Sequence, residues 1–441
     1  MSDSDTVEVD ARPVKEFFIS IITRDIKLID TIPEFVDNSI DGATRSADDE
    51  SLNSFHVDIM VSSDRLIVED NCGGIEREIA EDYAFRFGRP VDLVQDDLES
   101  VIGIFGVGMK RSLFKLGRHF IIESKTEDDH FILDIDVDEW VESDDWNFEM
   151  EMISEEDERS ELSTTGTYIL VNDLYPEVSD TFGQDLFATR LKNELGTKNG
   201  DKIRKGLDIT VNRESAGYAA IEMFQSDELE PAYKEYSFDQ GEDEVKVELK
   251  AGLGERSPDD AGWYIFCNGR LVLEANKKDT TGWGSDTVPQ YHNDYSRFRG
   301  IANLKSDNPA ALPWNTTKTD VNPDAPVFRN AKQEMEQMMN PIIDSLREIA
   351  NEKSEKGEST VEQKVADSEK VDAIEIKSDE EQSFTSPDPE EKEDDEPNEV
   401  YIQYSREEEE VNKAKEVLEV DTNRDVGILT FEYFYNYEVE E

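Results

Sequence analysis

The chain has 441 residues, and its 46 lysines and arginines stand against 106 aspartates and glutamates, so the formal net charge is −60. This length accommodates about three domains of ordinary size. The charge argues against non-specific binding of nucleic acid, although salt screening or a local basic patch would weaken that argument. Acidic residues run through every segment, which favours a halophilic protein with a hydrated acidic surface over an ordinary protein with an acidic interaction tail.

The two cysteines, Cys72 and Cys267, lie far apart in the sequence. They form neither a disulfide framework nor a zinc signature, and they fit a reducing compartment. The acidic first residues lack the apolar core of a signal peptide. No apolar run approaches the ~20 residues that span a bilayer. These features predict a soluble cytoplasmic protein without a membrane segment.

Residues 1–14 predict a flexible N-terminal arm, which is either disordered or reaches a partner subunit. Apolar residues recur at helical intervals over 15–30 and predict a helix packed beside the next one. That next helix is predicted over 31–43, with Thr31 as its N-cap and Pro33 in its first turn.

Three polar residues of the predicted second helix, Glu34, Asn38 and Asp41, share one face because they are spaced by four and three residues. A carboxylate above a carboxamide can polarise a water molecule and hold a hard metal ion. An amphipathic helix with a solvated polar face has the same pattern, so the helix alone does not establish a site.

Two strands are predicted next, over 54–61 and 65–69, and the second runs directly into Asp70 and a pair of glycines. A carboxylate at a strand end followed by glycines suits a planar polar ligand, because glycine allows close backbone approach. A hairpin or a strand-to-helix turn is the alternative interpretation.

Residues 76–100 are charged and mixed, and they predict a lid. Three glycines then precede a helical pattern over 109–116, an arrangement that offers free N–H groups and a favourable dipole to a phosphate. Lys110 adds a positive charge. A lone glycine cluster is often only a loop, and the spacing matches neither the Walker motif nor the dinucleotide fingerprint.

Strand patterns follow over 119–124, 131–137, 146–153 and 167–171. The order of elements predicts an α/β (α+β) fold in which helices cover one face of a mixed, largely antiparallel sheet.

These separated motifs together resemble those of the GHKL ATPases over residues 15–175. That superfamily includes the gyrase B subunit, the MutL proteins, the ninety-kilodalton heat-shock chaperones, histidine kinases and the MORC proteins, and the MORC-like and chaperone-like members are the most similar in character. The resemblance implies a two-layer α/β sandwich that binds ATP and Mg²⁺.

The resemblance also implies roles for individual residues. Glu34 would activate water, Asn38 would bind Mg²⁺, and Asp70 would bind the adenine amino group with help from Thr167. The other residues implied to bind ATP are Asp41, Gly74, Ile75, Gly103, Phe105, Gly106, Val107, Gly108, Met109 and Lys110.

The second motif of the family is Asp-x-Gly-x-Gly, and here Cys72 stands at the first glycine position while Gly73 falls on the variable one. Gly74 alone is in register, so adenine packing is expected to differ. Glu34, four residues before Asn38, is typical of hydrolysis rather than of kinase chemistry. Lys110 is more similar to MORC-like members than to gyrase.

Residues 176–351 predict a second, transducer-like α/β domain that ends in a long helix over 325–351. Two apolar strands joined by Asn268 and Gly269 predict a hairpin. This hairpin is similar to the Asn-Gly-Arg hairpin of MutL and MORC transducers. Lys318 resembles the transducer lysine that reaches the γ-phosphate of ATP and is expected to act in catalysis, although a surface lysine in a loop is the simpler interpretation.

Residues 352–399 are rich in charge and nearly devoid of apolar side chains, so they predict an acidic disordered linker. Residues 400–441 predict a small C-terminal module with a helix over 407–418 and a strand over 427–437. This module is too small to fold well alone.

The resemblance implies an ATPase that acts as an ATP-gated dimeric clamp or chaperone-like machine, in the form of an ATP-dependent homodimer with an unknown protein or DNA client. A nucleotide-dependent scaffold with little turnover is the alternative. A histidine kinase is less favoured, because the four histidines all follow Glu34 and none precedes the ATP-binding motifs.

Overall fold

The computed structural model describes residues 12–47, 51–87, 107–241, 243–315, 317–378, 380–387, 402 and 405–439. The chain forms two compact units, residues 1–389 and 390–441. None of the described helices combines the length and the apolar character needed to cross a bilayer.

The first unit begins with a mixed sheet of eight strands in the order β5-β4-β3-β6-β2-β1-β7-β8. All neighbouring strands are antiparallel except β1 and β7. The strands are β1 His56–Val61, β2 Leu66–Asp70, β3 Gly117–Lys125, β4 His130–Asp136, β5 Met150–Met152, β6 Gly166–Leu174, β7 Asp208–Val211 and β8 Glu214–Ser215.

Helices accompany this sheet, and α2 and α4 contact each other across its face. The helices are α1 Lys15–Ile22, α2 Leu28–Ser46, α3 Arg77–Ile79, α4 Gly108–Leu116, α5 Val137–Glu142, α6 Pro176–Phe182, α7 Asp185–Lys198 and α8 Gly200–Arg204. A π-helical turn, Ala80–Ala84, follows α3. Apolar side chains of α2 and α4 are fully buried with those of the central strands. The predicted α/β sandwich is therefore confirmed.

Helix α2 begins earlier than predicted. Its N-cap is Lys27, and Thr31 lies inside the helix with its hydroxyl donating to the Leu28 carbonyl at 2.6 Å. Leu28 and Ile29 pack against the core, which extends the helix ahead of the proline. The prediction of Thr31 as the N-cap is wrong.

The second sheet has five strands in the order β10-β11-β14-β12-β13. Neighbouring strands are antiparallel except β12 and β14. The elements of this part are β9 Glu222–Gln225, β10 Ala232–Gln240, β11 Asp243–Leu253, β12 Gly262–Cys267, β13 Arg270–Asn276, β14 Phe298–Lys305, α9 Pro326–Lys356, α10 Thr360–Ala366 and β15 Glu369–Asp372, with short 3-10 turns at Asp279–Thr281, Asn293–Tyr295 and Pro309–Ala311.

The long helix α9 lies on this second sheet. Trp263 of β12 is fully buried, and its indole Nε1 lies 3.2 Å from the Met339 sulfur of α9.

The predicted division between the two domains at residues 175 and 176 falls too early. Strand β7 joins the first sheet by pairing with β1, because Ile209 and Val211 complete the buried apolar face there.

The prediction of disorder over 352–399 is wrong for its described part, which extends to residue 387. Beyond α10, β15 pairs with β9, and Gln382 and Thr385 bridge to Tyr233 and Glu230. We call residues 369–378 and 380–387 the strap. Composition was misleading here because a few apolar residues of this region enter the existing core; Val361, Val365 and Ala373 are fully buried.

The second unit contains α11 Glu408–Leu418 and α12 Asn423–Glu438. The predicted helix over 407–418 agrees with α11, whereas the predicted strand over 427–437 is wrong. The Thr422 hydroxyl accepts a hydrogen bond from the Asp425 amide at 3.1 Å and caps α12, and a capped start favours the helix over an extended segment.

Deletion of the strap is expected to destabilise the second sheet. The buried Lys250 ammonium donates to the Ile374 carbonyl at 2.8 Å, and Ala373 packs with Phe266 and Ile301. A chain that ends at residue 366 should therefore lose more than about 2 kcal/mol of unfolding free energy, because a buried ammonium is left without this acceptor and apolar surface is exposed.

A chain that ends at residue 389 retains the strap and is the matched control. Urea unfolding followed by tryptophan fluorescence compares the two chains. Equal midpoints and slopes for both would contradict a stabilising role for the strap.

Candidate active site

Glu34 lies at the centre of the site, on the buried face of α2 and only 5% exposed. Its Oε1 atom accepts a hydrogen bond from Arg111 of α4, and its Oε2 atom lies 3.4 Å from the Lys318 ammonium. A Cβ atom at Gly108 would lie 2.1 Å from Glu34 Oε2. Only glycine therefore lets the first turn of α4 approach the carboxylate so closely.

The charges around Glu34 determine its ionisation. Burial alone would raise the pKa of Glu34, but attraction by Lys318, Arg111 and Arg270 outweighs that effect and lowers the pKa. The carboxylate is therefore ionised, with a cation at each of its oxygens.

Asp37, one turn after Glu34, is completely buried and lies between two cations. It forms an ion pair with Arg270 of β13, and its Oδ2 atom is 2.7 Å from the Lys318 ammonium. Asn268 and Gly269, with φ angles of 48° and 79°, make the tight turn that directs Arg270 towards α2.

Lys318 reaches this pair of carboxylates from the loop between Trp314 and Val321, two residues that form a β-bridge with each other. This loop follows β14 in the part of the chain that contains the second sheet, which we call the second-sheet part. Its side chain is almost fully buried. Burial lowers the pKa of Lys318, but Asp37 and Glu34 outweigh burial and the net shift is upward, so the ammonium stays charged. The second sheet thus supplies two cations, Lys318 and Arg270, to a helix of the first.

The other end of the site is built around Asp70, at the end of β2. Its Oδ1 atom accepts from the backbone amides of Cys72 at 2.8 Å and Thr167 at 3.2 Å, and its Oδ2 atom accepts from the Ser39 hydroxyl at 2.7 Å. Burial is the largest influence on Asp70 and raises its pKa despite these three hydrogen bonds. The carboxylate is fixed in orientation by the two strands and α2.

The structure shows how the chain accommodates Cys72 at a glycine position of the family motif. The Cys72 side chain is 2% exposed and belongs to the hydrophobic core. Gly73 and Gly74 follow with φ angles of 95° and 75°, a region that side chains disfavour. A Cβ at Gly74 would lie 2.4 Å from the Lys125 carbonyl, so this glycine is required for packing against β3.

The remaining predicted ligands occupy different positions around these two ends. Asn38 is exposed on α2, whereas Asp41 is buried. The Ile75 amide donates to the Ser124 hydroxyl at 2.6 Å. The Lys110 ammonium donates to the Ala84 carbonyl at 2.6 Å, which ties α4 to the π-helical turn.

Part of the predicted phosphate loop and lid lies outside the described residues. Gly103, Phe105 and Gly106 belong to that part, as do residues 88–100 of the lid. Val107, Gly108 and Met109 are described, at the start of α4.

Sequence reasoning missed three charged residues of the site: Asp37, Arg111 and Arg270. Asp37 occurs three residues after Glu34, and Arg111 occurs three residues after Gly108, so helical spacing from the recognised residues could have indicated both. Arg270 completes the Asn-Gly-Arg hairpin that the sequence identified, but its ion pair with Asp37 depends on the arrangement of the two sheets.

Residues 26–167 match the family model for histidine kinase-, DNA gyrase B- and HSP90-like ATPases. The search of curated proteins found no match. The matched segment contains Glu34, Asp70 and α4, and the family indicates ATP binding, whereas Arg270 and Lys318 lie beyond it. Over residues 26–167 the chain is therefore similar to the ATP-binding domain of the GHKL ATPase superfamily.

Proposed function

We propose that the chain is a magnesium-dependent ATPase. Binding of ATP would draw the parts that contain the two sheets together and would join two copies of the chain. The observation that carries this proposal is the contact of Glu34 with both Gly108 and Lys318. A carboxylate, a helix N-terminus and a cation from a second structural layer converge there. That combination suits water activation beside a terminal phosphate.

The adenine end of the proposed site is the Asp70 carboxylate. Ser39 and two backbone amides leave Oδ2 with remaining acceptor capacity, because an ionised carboxylate oxygen accepts more than one hydrogen bond. We assign that capacity to the adenine amino group. Gly74, Ile75 and Thr167 would line the base beside it.

The phosphate end is the start of α4. The backbone amides of Val107, Gly108 and Met109 lie at the N-terminus of α4, where the positive end of the helix dipole favours an anion. Asn38 lies exposed one turn from Glu34 and offers a hard oxygen ligand of the kind that Mg²⁺ prefers. When bound, Mg²⁺ would neutralise phosphate charge.

Hydrolysis requires a water molecule to attack the γ-phosphorus while its proton passes to Glu34, releasing ADP and inorganic phosphate. Lys318 would stabilise the charge on the γ-phosphate. The contribution of Glu34 is to orient the water and accept its proton. Both roles need Glu34 Oε2 to be accessible to water.

A nucleotide-dependent scaffold with little turnover is a second candidate, and one observation favours it. Arg111 and Lys318 occupy the oxygens of Glu34 and lower its pKa, which makes the carboxylate a weak base in this state. The two candidates differ in turnover and share the nucleotide site.

Dimerisation is supported by α1 and the residue before it. Val14, Phe17 and Ile21 are 69%, 55% and 46% exposed, and their spacing places them on one face. An apolar stripe of this kind fits a second copy of the chain. The client of the clamp, whether protein or DNA, is a separate question, and the net charge of −60 disfavours DNA.

Replacement of Glu34 by glutamine is expected to retain ATP binding and abolish most turnover. Glutamine can still accept from Arg111 but cannot take the proton of the attacking water, so kcat should fall by about 100-fold or more. Isothermal titration and a phosphate-release assay measure binding and turnover. The Asp30→Asn variant, which alters another carboxylate of α2, should hydrolyse normally; wild-type turnover by Glu34→Gln would refute the assignment.

Replacement of Asp70 by asparagine is expected to weaken ATP binding while the fold is kept. The Cys72 and Thr167 amides should fix the amide oxygen towards themselves, which turns the amide NH₂ towards the adenine amino group. Loss of that hydrogen bond should cost about 1.5–3 kcal/mol, or roughly 10- to 150-fold in Kd.

Calorimetric titration with a non-hydrolysable ATP analogue measures this change. Glu69→Gln removes a neighbouring carboxylate of β2 and is the matched control. Unchanged affinity in Asp70→Asn would remove Asp70 from the nucleotide site.

ATP is expected to produce a compact dimer, and Lys318 is expected to be required for compaction. Lys318→Ala should bind the analogue but lose turnover and compaction, because the second-sheet part loses its cation for the γ-phosphate. Phe17→Ser should compact but fail to dimerise. Small-angle scattering and sedimentation in molar salt separate these effects; equal mass and radius of the wild type with and without the analogue would overturn the clamp.

A further inference from the structure

Five charged residues pack together between α2 and the second sheet, and each residue is at most 6% exposed: Glu34, Asp37, Arg111, Arg270 and Lys318. Two carboxylates face three cations, so this set of described residues carries a surplus of one positive charge. Buried charge is costly unless it is paired. Because of this surplus, the set would become neutral if one of the three cations left.

The contacts identify Lys318 as that cation. Arg111 contacts Glu34, Arg270 contacts Asp37, and Lys318 contacts both carboxylates. If Lys318 departs, two complete arginine–carboxylate pairs remain. Each carboxylate thus keeps an arginine partner when Lys318 departs.

The backbone positions of the three cations lead to the same conclusion. Arg111 belongs to α4 and Arg270 to β13, and both elements are anchored in the core. Lys318 lies in a loop, with a backbone φ of 52° that non-glycine residues seldom adopt. Its flexible four-carbon side chain carries a point charge that can change partners.

We propose that Asp37 holds Lys318 against Glu34 in the nucleotide-free protein and that the γ-phosphate of ATP draws Lys318 away, which releases Glu34 to act as the base. Asp37 is then a positioning residue that regulates the site, and the inference rests on the proposed function. While Lys318 and Arg111 cover its two oxygens, Glu34 cannot accept a proton from water. Hydrolysis thereby waits until ATP has recruited the second-sheet part.

A terminal phosphate can compete with Asp37 because it carries more negative charge than one carboxylate and Arg270 already neutralises Asp37. ATP gains an interaction in the released state that ADP, without a γ-phosphate, lacks. This difference in affinity is what a ligand needs to shift a two-state equilibrium. The resting contact therefore sets the ATP concentration at which the site becomes active.

Asp37→Asn tests the holding contact directly. The amide oxygen can still accept from Arg270, but the charge that holds Lys318 is gone. In the full-length, nucleotide-free protein, acetylation of Lys318 by an amine-reactive ester, quantified by peptide mass spectrometry, should quicken by at least about fivefold. Asp30→Asn breaks a comparable ion pair, with Lys198 at 3.0 Å, and should leave Lys318 protected.

Arg270→Gln should act in the opposite direction. Without Arg270 the surplus charge disappears, and the departure of Lys318 would leave Asp37 buried without a cation. The ATP concentration that gives half-maximal compaction should fall at least about fivefold in Asp37→Asn and rise at least about fivefold in Arg270→Gln.

General damage to the fold would shift both variants in the same direction and would overturn the proposal. The acetylation assay uses no nucleotide, so it tests the holding contact even in a protein that never hydrolyses ATP. Active ATP hydrolysis with unchanged Lys318 acetylation in Asp37→Asn would overturn the inference and leave the proposed function intact.

Discussion

The ion pairs between Asp37 and the cations Arg270 and Lys318 connect the two sheets at the site. Asp37 is fully buried, and its partners come from a hairpin and a loop more than 200 residues away along the chain. Charges that are buried together must be satisfied together, so the second sheet cannot shift relative to α2 without changing these contacts. This constraint makes the position of the second-sheet part depend on the charge state of the site.

The two ends of the site differ in their physical character. Asp70 accepts hydrogen bonds from Ser39 of α2, Thr167 of β6 and Cys72 just after β2, so its orientation is fixed without any contribution from the second sheet. Glu34 contacts both structural parts, through Arg111 and Lys318. Under the proposed function, the Asp70 end would recognise the base in a fixed geometry, whereas the Glu34 end would change its contacts in response to the γ-phosphate.

Local sequence patterns predicted strands β1 to β6 of the first sheet, the helix that carries Glu34 and the strand end that carries Asp70, because each follows from local periodicity. The same patterns failed where stability comes from distant contacts. The strap looked disordered by composition, yet its strand β15 pairs with β9 and its Ile374 carbonyl accepts a hydrogen bond from the Lys250 ammonium. The C-terminal aromatic segment alternates as a strand does, but the Thr422 cap begins a helix there.

The net charge of the chain describes its surface but not the buried charges of the site. The chain carries −60 overall, yet the buried set around Glu34 has a surplus of positive charge among the described residues. An acidic surface repels a nucleotide polyanion at low salt, and at 1 M salt the Debye length of about 3 Å removes most of that repulsion. Buried ion pairs are screened far less, so the contacts of Glu34 and Asp37 with their cations keep their strength in salt that screens the surface charges. A strongly acidic exterior and the proposed binding of a phosphate are therefore compatible in one chain, provided that the cations of the site are buried and held by the sheets themselves.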